Sequence, residues 1–230
     1  FYSTLIAWAM SFIRPETALR PQKLIAALRA GSIGVLSVAA TCASAGIIVG
    51  VVTLTGLGLK FSTIVIEYAG GSILLTAIFT ALVVWVIGLA VPVTASYIIC
   101  AVIAAPAMIK LGVPDFAAHM FIFYYSILSE VSPPTALSPF AAAALTGGDP
   151  YKTTMQAWKY TLPAFLVPFN FTLSPEGVAL LLKGTPLAIL WTFMTALVGI
   201  FALAAGMDGW MFKRALVYER ILLVIAGLAL

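Results

Sequence analysis

Long stretches of this sequence carry no charge at all, among them residues 30–59, 68–109, 160–175 and 184–207. Hydrophobic residues make up 63% of the 230-residue chain and charged residues 9%, where a soluble domain carries roughly a quarter charged. No core of this size hides so much apolar surface, so the surplus must face lipid. A membrane-crossing helix needs about 20 apolar residues, and the runs are continuously apolar rather than alternating with period two. Helices are therefore expected, not a barrel. The fold class is an all-α polytopic membrane protein. The chain opens inside an apolar segment, residues 1–13, with no basic flank and no initiator methionine. It reads as a fragment whose N-terminal portion is missing, not as one that starts with a signal peptide.

The placement of charge sets the expected topology. Basic residues cluster at Arg14, Arg20, Lys23 and Arg29, at Lys152 and Lys159, and at Lys213, Arg214 and Arg220. The positive-inside rule puts these clusters in the cytoplasm and the single lysines Lys60 and Lys183 outside. A helix at about 32–57 leads outward, 72–111 must leave and return to the same side, and 116–147 crosses inward. Helices at about 160–175 and 186–205 follow, and a last one begins near Arg220. Parity closes only if 72–111 is a re-entrant hairpin. Segment 149–159 places Lys152, Gln156 and Lys159 on one helical stripe beside Tyr151, Met155 and Trp158. It reads either as an amphipathic interfacial arm helix or as a solvated boundary loop.

Two elements are interrupted. The hairpin carries Gly88, Val91, Pro92, Thr94 and Ser96 at an uncharged tip. Pro92 has no N–H for the Gly88 carbonyl, and Thr94 or Ser96 is placed to cap the second arm. In the next crossing, Ser129, Glu130, Ser132, Pro133, Pro134 and Thr135 form a second break, where two prolines in a helix would strand the carbonyls of Ser129 and Glu130. Broken helices place freed carbonyls and half-helix ends at membrane depth, where they bind coupling ions and anionic substrates. The hydroxyls of Thr94, Ser96, Ser132 and Thr135 supply hard oxygen ligands for an alkali cation. Glu130 has two readings: it ligates a cation or takes a proton, or it pairs with a part of the protein beyond this chain or sits in a water-filled vestibule. His119 reads as an interfacial hydrogen-bonding group, and Gly46, Gly50 and Gly56 as a small-residue packing face. Cys42 and Cys100 are packing residues. No nucleotide loop, paired catalytic carboxylates or Cys/His cluster appears, so neither an enzyme nor a nucleic-acid partner is expected.

Residues 88–98 (Gly-Leu-Ala-Val-Pro-Val-Thr-Ala-Ser-Tyr-Ile), Ala105-Pro106-Ala107, residues 117–125, and Glu130 through Ala136 (Glu-Val-Ser-Pro-Pro-Thr-Ala) resemble the large permease subunit of tripartite ATP-independent periplasmic (TRAP) transporters. The likeness is closest to the type in which small and large membrane subunits are fused, and it covers about residues 22–175. It implies an elevator-type permease of two inverted repeats, each with a re-entrant hairpin and a broken helix. This chain would hold the second repeat, with its hairpin at 72–111 and broken helix at 116–147, plus C-terminal membrane helices at 176–230. The resemblance further implies a multi-pass protein of the bacterial inner membrane that couples sodium flow to organic acid (dicarboxylate-type) uptake. A periplasmic binding protein would deliver the substrate, and the small membrane subunit would be fused in the missing part. Sodium ligands would come from Gly88, Val91, Thr94, Ser132, Pro134 and Thr135. Pro92, Ser96, Ser129, Glu130 and Pro133 would act in substrate binding or coupling. The other reading of the same fold is a stand-alone cation/carboxylate symporter without a binding protein.

Overall fold

Caps and prolines fix where the helices begin and end. The computed structural model describes residues 2–14, 16, 18–211 and 213–229, with the side chains of 37 and 38 left aside. The helices are α1 (Tyr2–Ser11), α2 (Pro21–Thr55), α3 (Leu57–Tyr68), α4 (Ile73–Gly88), α5 (Val93–Ile103) and α6 (Ala105–Lys110). They continue with α7 (Asp115–Leu128), α8 (Leu137–Thr146), α9 (Pro150–Thr161), α10 (Val167–Leu173), α11 (Pro186–Asp208) and α12 (Val217–Ala229). Among the described residues, β pairing is limited to one bridge between Trp210 and Arg214. Ser72 caps α4 by accepting from the Leu75 N–H, Asp149 caps α9 through Lys152 N–H at 2.8 Å, and Thr185 caps α11 through Ala188 N–H. Pro150 and Pro186 stand at first helical positions, where no donor is lost. Gly147 ends α8 in the left-handed region (φ 71°), and Gly148 N–H reaches back to the Ala143 carbonyl at 3.1 Å. That bond is the six-residue closure of a Schellman cap.

Contacts divide the chain into residues 1–46 and 47–230. In the first unit, Ser11 Oγ donates to the Trp8 carbonyl and accepts from Leu19 N–H, and Trp8 packs edge-on against Phe12. In the second, α7 lies at the centre of the core. Ala117, Ala118, Phe121, Ile122 and Tyr125 pack against Ala77, Ala81 and Val84 of α4, Cys100 and Ala104 of α5, and Phe171 of α10. Small residues on α4 let it approach α7 closely, and the Phe121 ring meets Tyr125 at 5.0 Å and Phe169 at 5.4 Å between centroids. Large apolar side chains remain outward on α11, with Trp191 72% exposed. Such a surface requires an apolar solvent. By length and composition, Pro21–Thr55, Val93–Lys110 and Pro186–Asp208 are long enough to cross a membrane, while α4 and α8 are shorter apolar helices.

Several sequence expectations change in detail. The second arm of 72–111 is not short: α5 and α6 together run 18 residues, interrupted at Ala104. The interruption follows from Pro106, which has no N–H for the Val102 carbonyl. There α3 fits against the bend, with Gly58 beneath the Val102 carbonyl and Ser62 Oγ within 3.4 Å of the Ile103 carbonyl. The helix expected at 160–175 is instead a 3₁₀ turn, Leu162–Phe165, followed by the short α10, because Pro163 and Pro168 each remove a helical donor. Residues 21–30 are the opening turns of α2. Gly46 and Gly50 have no neighbour within 4 Å of an added Cβ, so they form no packing face among the described residues. Close glycine contacts do occur between α11 and α12. A Cβ on Gly227 would fall 2.5 Å from Leu203 Cγ and 2.7 Å from the Gly199 carbonyl, and one on Gly206 would fall 2.8 Å from Val224 Cγ2.

Gly227→Ala and Gly206→Ala should each lower stability by about 1–3 kcal/mol through overpacking. Gly50→Ala should be neutral or stabilising by about 0.5–1 kcal/mol, since a mid-helix glycine gains helix propensity without a clash. Thermal unfolding of the purified chain in detergent measures both. Equal midpoints for Gly227→Ala and Gly50→Ala would refute this packing assignment.

Candidate functional site

The hairpin tip and the break meet. α4 and α7 both end where Gly88 lies against Ser129: a Cβ on Gly88 would stand 2.5 Å from Ser129 Oγ, 2.8 Å from Ser129 Cβ and 3.3 Å from Ser96 Oγ. Only a residue without a side chain permits that approach. Behind this contact lies a buried hydroxyl cluster. Ser96 Oγ and Ser126 Oγ are 3.3 Å apart, Ser126 Oγ donates to the Ile122 carbonyl at 2.9 Å, and Ser129 Oγ donates to the Ser126 carbonyl at 2.7 Å. Ser132 Oγ donates to the Leu128 carbonyl at 2.8 Å. Ser129 and Ser132, just beyond α7, thus hold the Ser126 and Leu128 carbonyls in its last turn, where helical donors run out.

The break is built differently from the sequence expectation. Ser132 N–H donates to the Ser129 carbonyl at 3.1 Å, so that carbonyl is not stranded. Residues 129–131 tighten into a 3₁₀ turn, the Pro133–Pro134 peptide is cis, and Ala136 takes a left-handed conformation (φ 36°, ψ 47°) at the start of α8. Ala136 is fully buried and carries a Cβ in a region that disfavours it. Pro92, not Thr94 or Ser96, occupies the N-cap of α5, and it forms no side-chain cap. Its carbonyl accepts from Ser96 N–H at 2.9 Å.

Between tip and break lies a cavity of about 280 Å³ lined by Gly88, Leu89, Ala90, Val91, Pro92, Glu130, Thr135 and Leu137. Of the residues singled out from sequence, Gly88, Val91, Pro92, Glu130 and Thr135 therefore share one space. Ser96, Ser129 and Ser132 are buried behind it, Thr94 is exposed on α5, and Pro133 and Pro134 shape the chain without lining the cavity. Thr135 Oγ1 is buried and has no hydrogen-bond partner, and among the described residues Glu130 has no ion-pair partner. Ser126, Leu89, Ala90 and Leu137 were not singled out. Ser126 was detectable, since with Ser129 and Ser132 it forms a three-residue hydroxyl spacing along an otherwise apolar helix.

The electrostatics follow from helix ends. α4 and α7 bring their C-terminal ends, with surplus carbonyls, to the cavity, whereas α5 and α8 begin there. Converging C-termini favour a cation, and starting N-termini favour an anion. An unpartnered Thr135 hydroxyl, the Glu130 carboxylate and the carbonyls of the tip make a hard-oxygen set suited to a small cation. Among the described residues no group of three or more His, Cys, Asp or Glu is placed to hold a metal ion. His119 lies away from the cavity, where its Nδ1 and Tyr97 Oη are 3.1 Å apart between α7 and α5.

A family model described as "Tripartite ATP-independent periplasmic transporter, DctM component" matches residues 1–177. No curated protein and no solved structure matches the chain. The match includes the hairpin, the break and α9, and it stops before α11.

Gly88→Ala should separate tip from break and cut transport at least about tenfold, the equivalent of ~1.4 kcal/mol of lost site geometry. Adding Ser129→Gly, which removes the two nearest of the three atoms the new methyl meets, should restore most of the loss. A double mutant no better than Gly88→Ala in an uptake assay would sink the proposed seating of Gly88 on Ser129.

Proposed function

This chain belongs to the DctM component family of TRAP transporters, and from that premise we propose that it is a sodium-coupled permease taking up an organic acid across the bacterial inner membrane. The observation that carries the reading is the cavity where tip and break meet, with the unpartnered Thr135 hydroxyl in its wall. Sodium is a transported substrate here, held by Thr135, the tip carbonyls of residues 88–91 and the Glu130 carboxylate. Ser129 and Ser96 keep the tip seated. The anionic group of the organic acid lies toward the starts of α5 and α8. In this reading 72–111 is re-entrant, 116–147 is a broken crossing helix, and α9 is an interfacial arm. A periplasmic binding protein supplies the substrate, and a small membrane subunit completes the permease. The moving unit carries the hairpin and broken helix together in elevator fashion, because Gly88 and Ser129 bind them into one body.

The test is uptake by the full permease in proteoliposomes with its binding protein. Replacing sodium by potassium outside should abolish accumulation. Thr135→Ala should raise the sodium concentration for half-maximal uptake about tenfold, the expected cost of losing one oxygen ligand to a charged group. Uptake indifferent to sodium would overturn the coupling; unaltered sodium dependence in Thr135→Ala would overturn only the ligand assignment.

A further inference from the structure

After α11, the described residues of the turn are tied by backbone contacts and carry the exposed cations Lys213 and Arg214. Gly209 ends α11 with φ 72°, Trp210 and Arg214 pair through their backbones, and Met211 N–H donates to the Lys213 carbonyl at 3.2 Å. Ala215 N–H closes the turn on the Gly209 carbonyl at 2.9 Å. Around it, the other charges are engaged. Arg220 donates from Nε to the Gly206 carbonyl and from Nη2 to the Met207 carbonyl, both at 2.9 Å, capping the end of α11. Lys159 pairs with Asp208 at 2.8 Å, and Glu219 Oε2 accepts from Leu216 N–H at 2.8 Å to cap α12. Lys213 stands 3.8 Å from Glu219 Oε1 with its side chain 80% exposed, and among the described residues Arg214 has no ion-pair partner. The indole of Trp210 is exposed beside them, and the chain continues into the exposed apolar residues Leu216, Val217 and Tyr218.

We infer that this turn binds the headgroup of an anionic phospholipid. Lys213 and Arg214 take the phosphate: Arg214 has no ion-pair partner among the described residues, and Lys213, its side chain 80% exposed, is held only by Glu219 at 3.8 Å. Trp210 sits at the depth of the glycerol backbone, where an indole prefers to lie. The apolar residues that open α12 give the acyl chains a surface, which a free phosphate ion would not use. A backbone-pinned turn loses little conformational freedom on binding, so the site is formed before the lipid arrives.

The experiment places the full chain in nanodiscs of phosphatidylcholine with or without phosphatidylglycerol and measures thermal unfolding, with retained lipid counted by native mass spectrometry. Phosphatidylglycerol should raise the midpoint and remain bound. Lys213→Gln and Arg214→Gln should each weaken its affinity about fivefold, and the double variant should lose the midpoint shift. Lys110→Gln, a cation at the end of α6, should leave the shift intact. An identical shift in the double variant, a loss equal in Lys110→Gln, or reproduction of the shift by inorganic phosphate in phosphatidylcholine discs would overturn the assignment.

Discussion

The contact of Gly88 with Ser129 governs the rest of the second unit. Two helices that run side by side both stop at this point, and the stop is possible because a glycine meets a serine without a side chain between them. A shift of one residue would place Ile87 or Leu89 where Gly88 stands, or Leu128 or Glu130 where Ser129 stands. The register of α4 on α7, the small residues Ala77 and Ala81 that allow it, and the position of the cavity beyond it all depend on that one approach.

A second constraint is the scarcity of solvent for backbone polar groups in lipid. Several interruptions among the described residues are met by local contacts. Pro106 bends α5 into α6, and Ser62 and Gly58 of α3 close on the bend. The end of α7 is held by its own serines, and the end of α11 by Arg220. In the space between tip and break the buried Thr135 hydroxyl lacks a partner, as do the Thr76 and Thr80 hydroxyls and the indole nitrogens of Trp85 and Trp158 elsewhere; Thr135 is the one of these that lines the cavity between the two interruptions.

Much of this was legible in the sequence for a physical reason. Uncharged runs and paired prolines act locally, so the all-helical membrane class and the positions of both breaks could be read from residues 68–135 alone. The family match covers the residues that hold both breaks. What could not be read depends on three-dimensional contact. Ser132 rescuing the Ser129 carbonyl, Thr94 turning outward and Gly46 meeting nothing are outcomes of neighbours the linear pattern does not specify. The segment 160–175 was misread because its apolar character outweighed Pro163 and Pro168, although each proline alone removes a helical bond.

The bond between Lys159 and Asp208 joins the last turn of α9 to the last turn of α11, and the two side chains are only partly shielded, at 40% and 34% exposure. An ion pair so close to water is worth roughly 0–1 kcal/mol. It therefore adds little to how firmly α9 is held against α11, and added salt weakens it further.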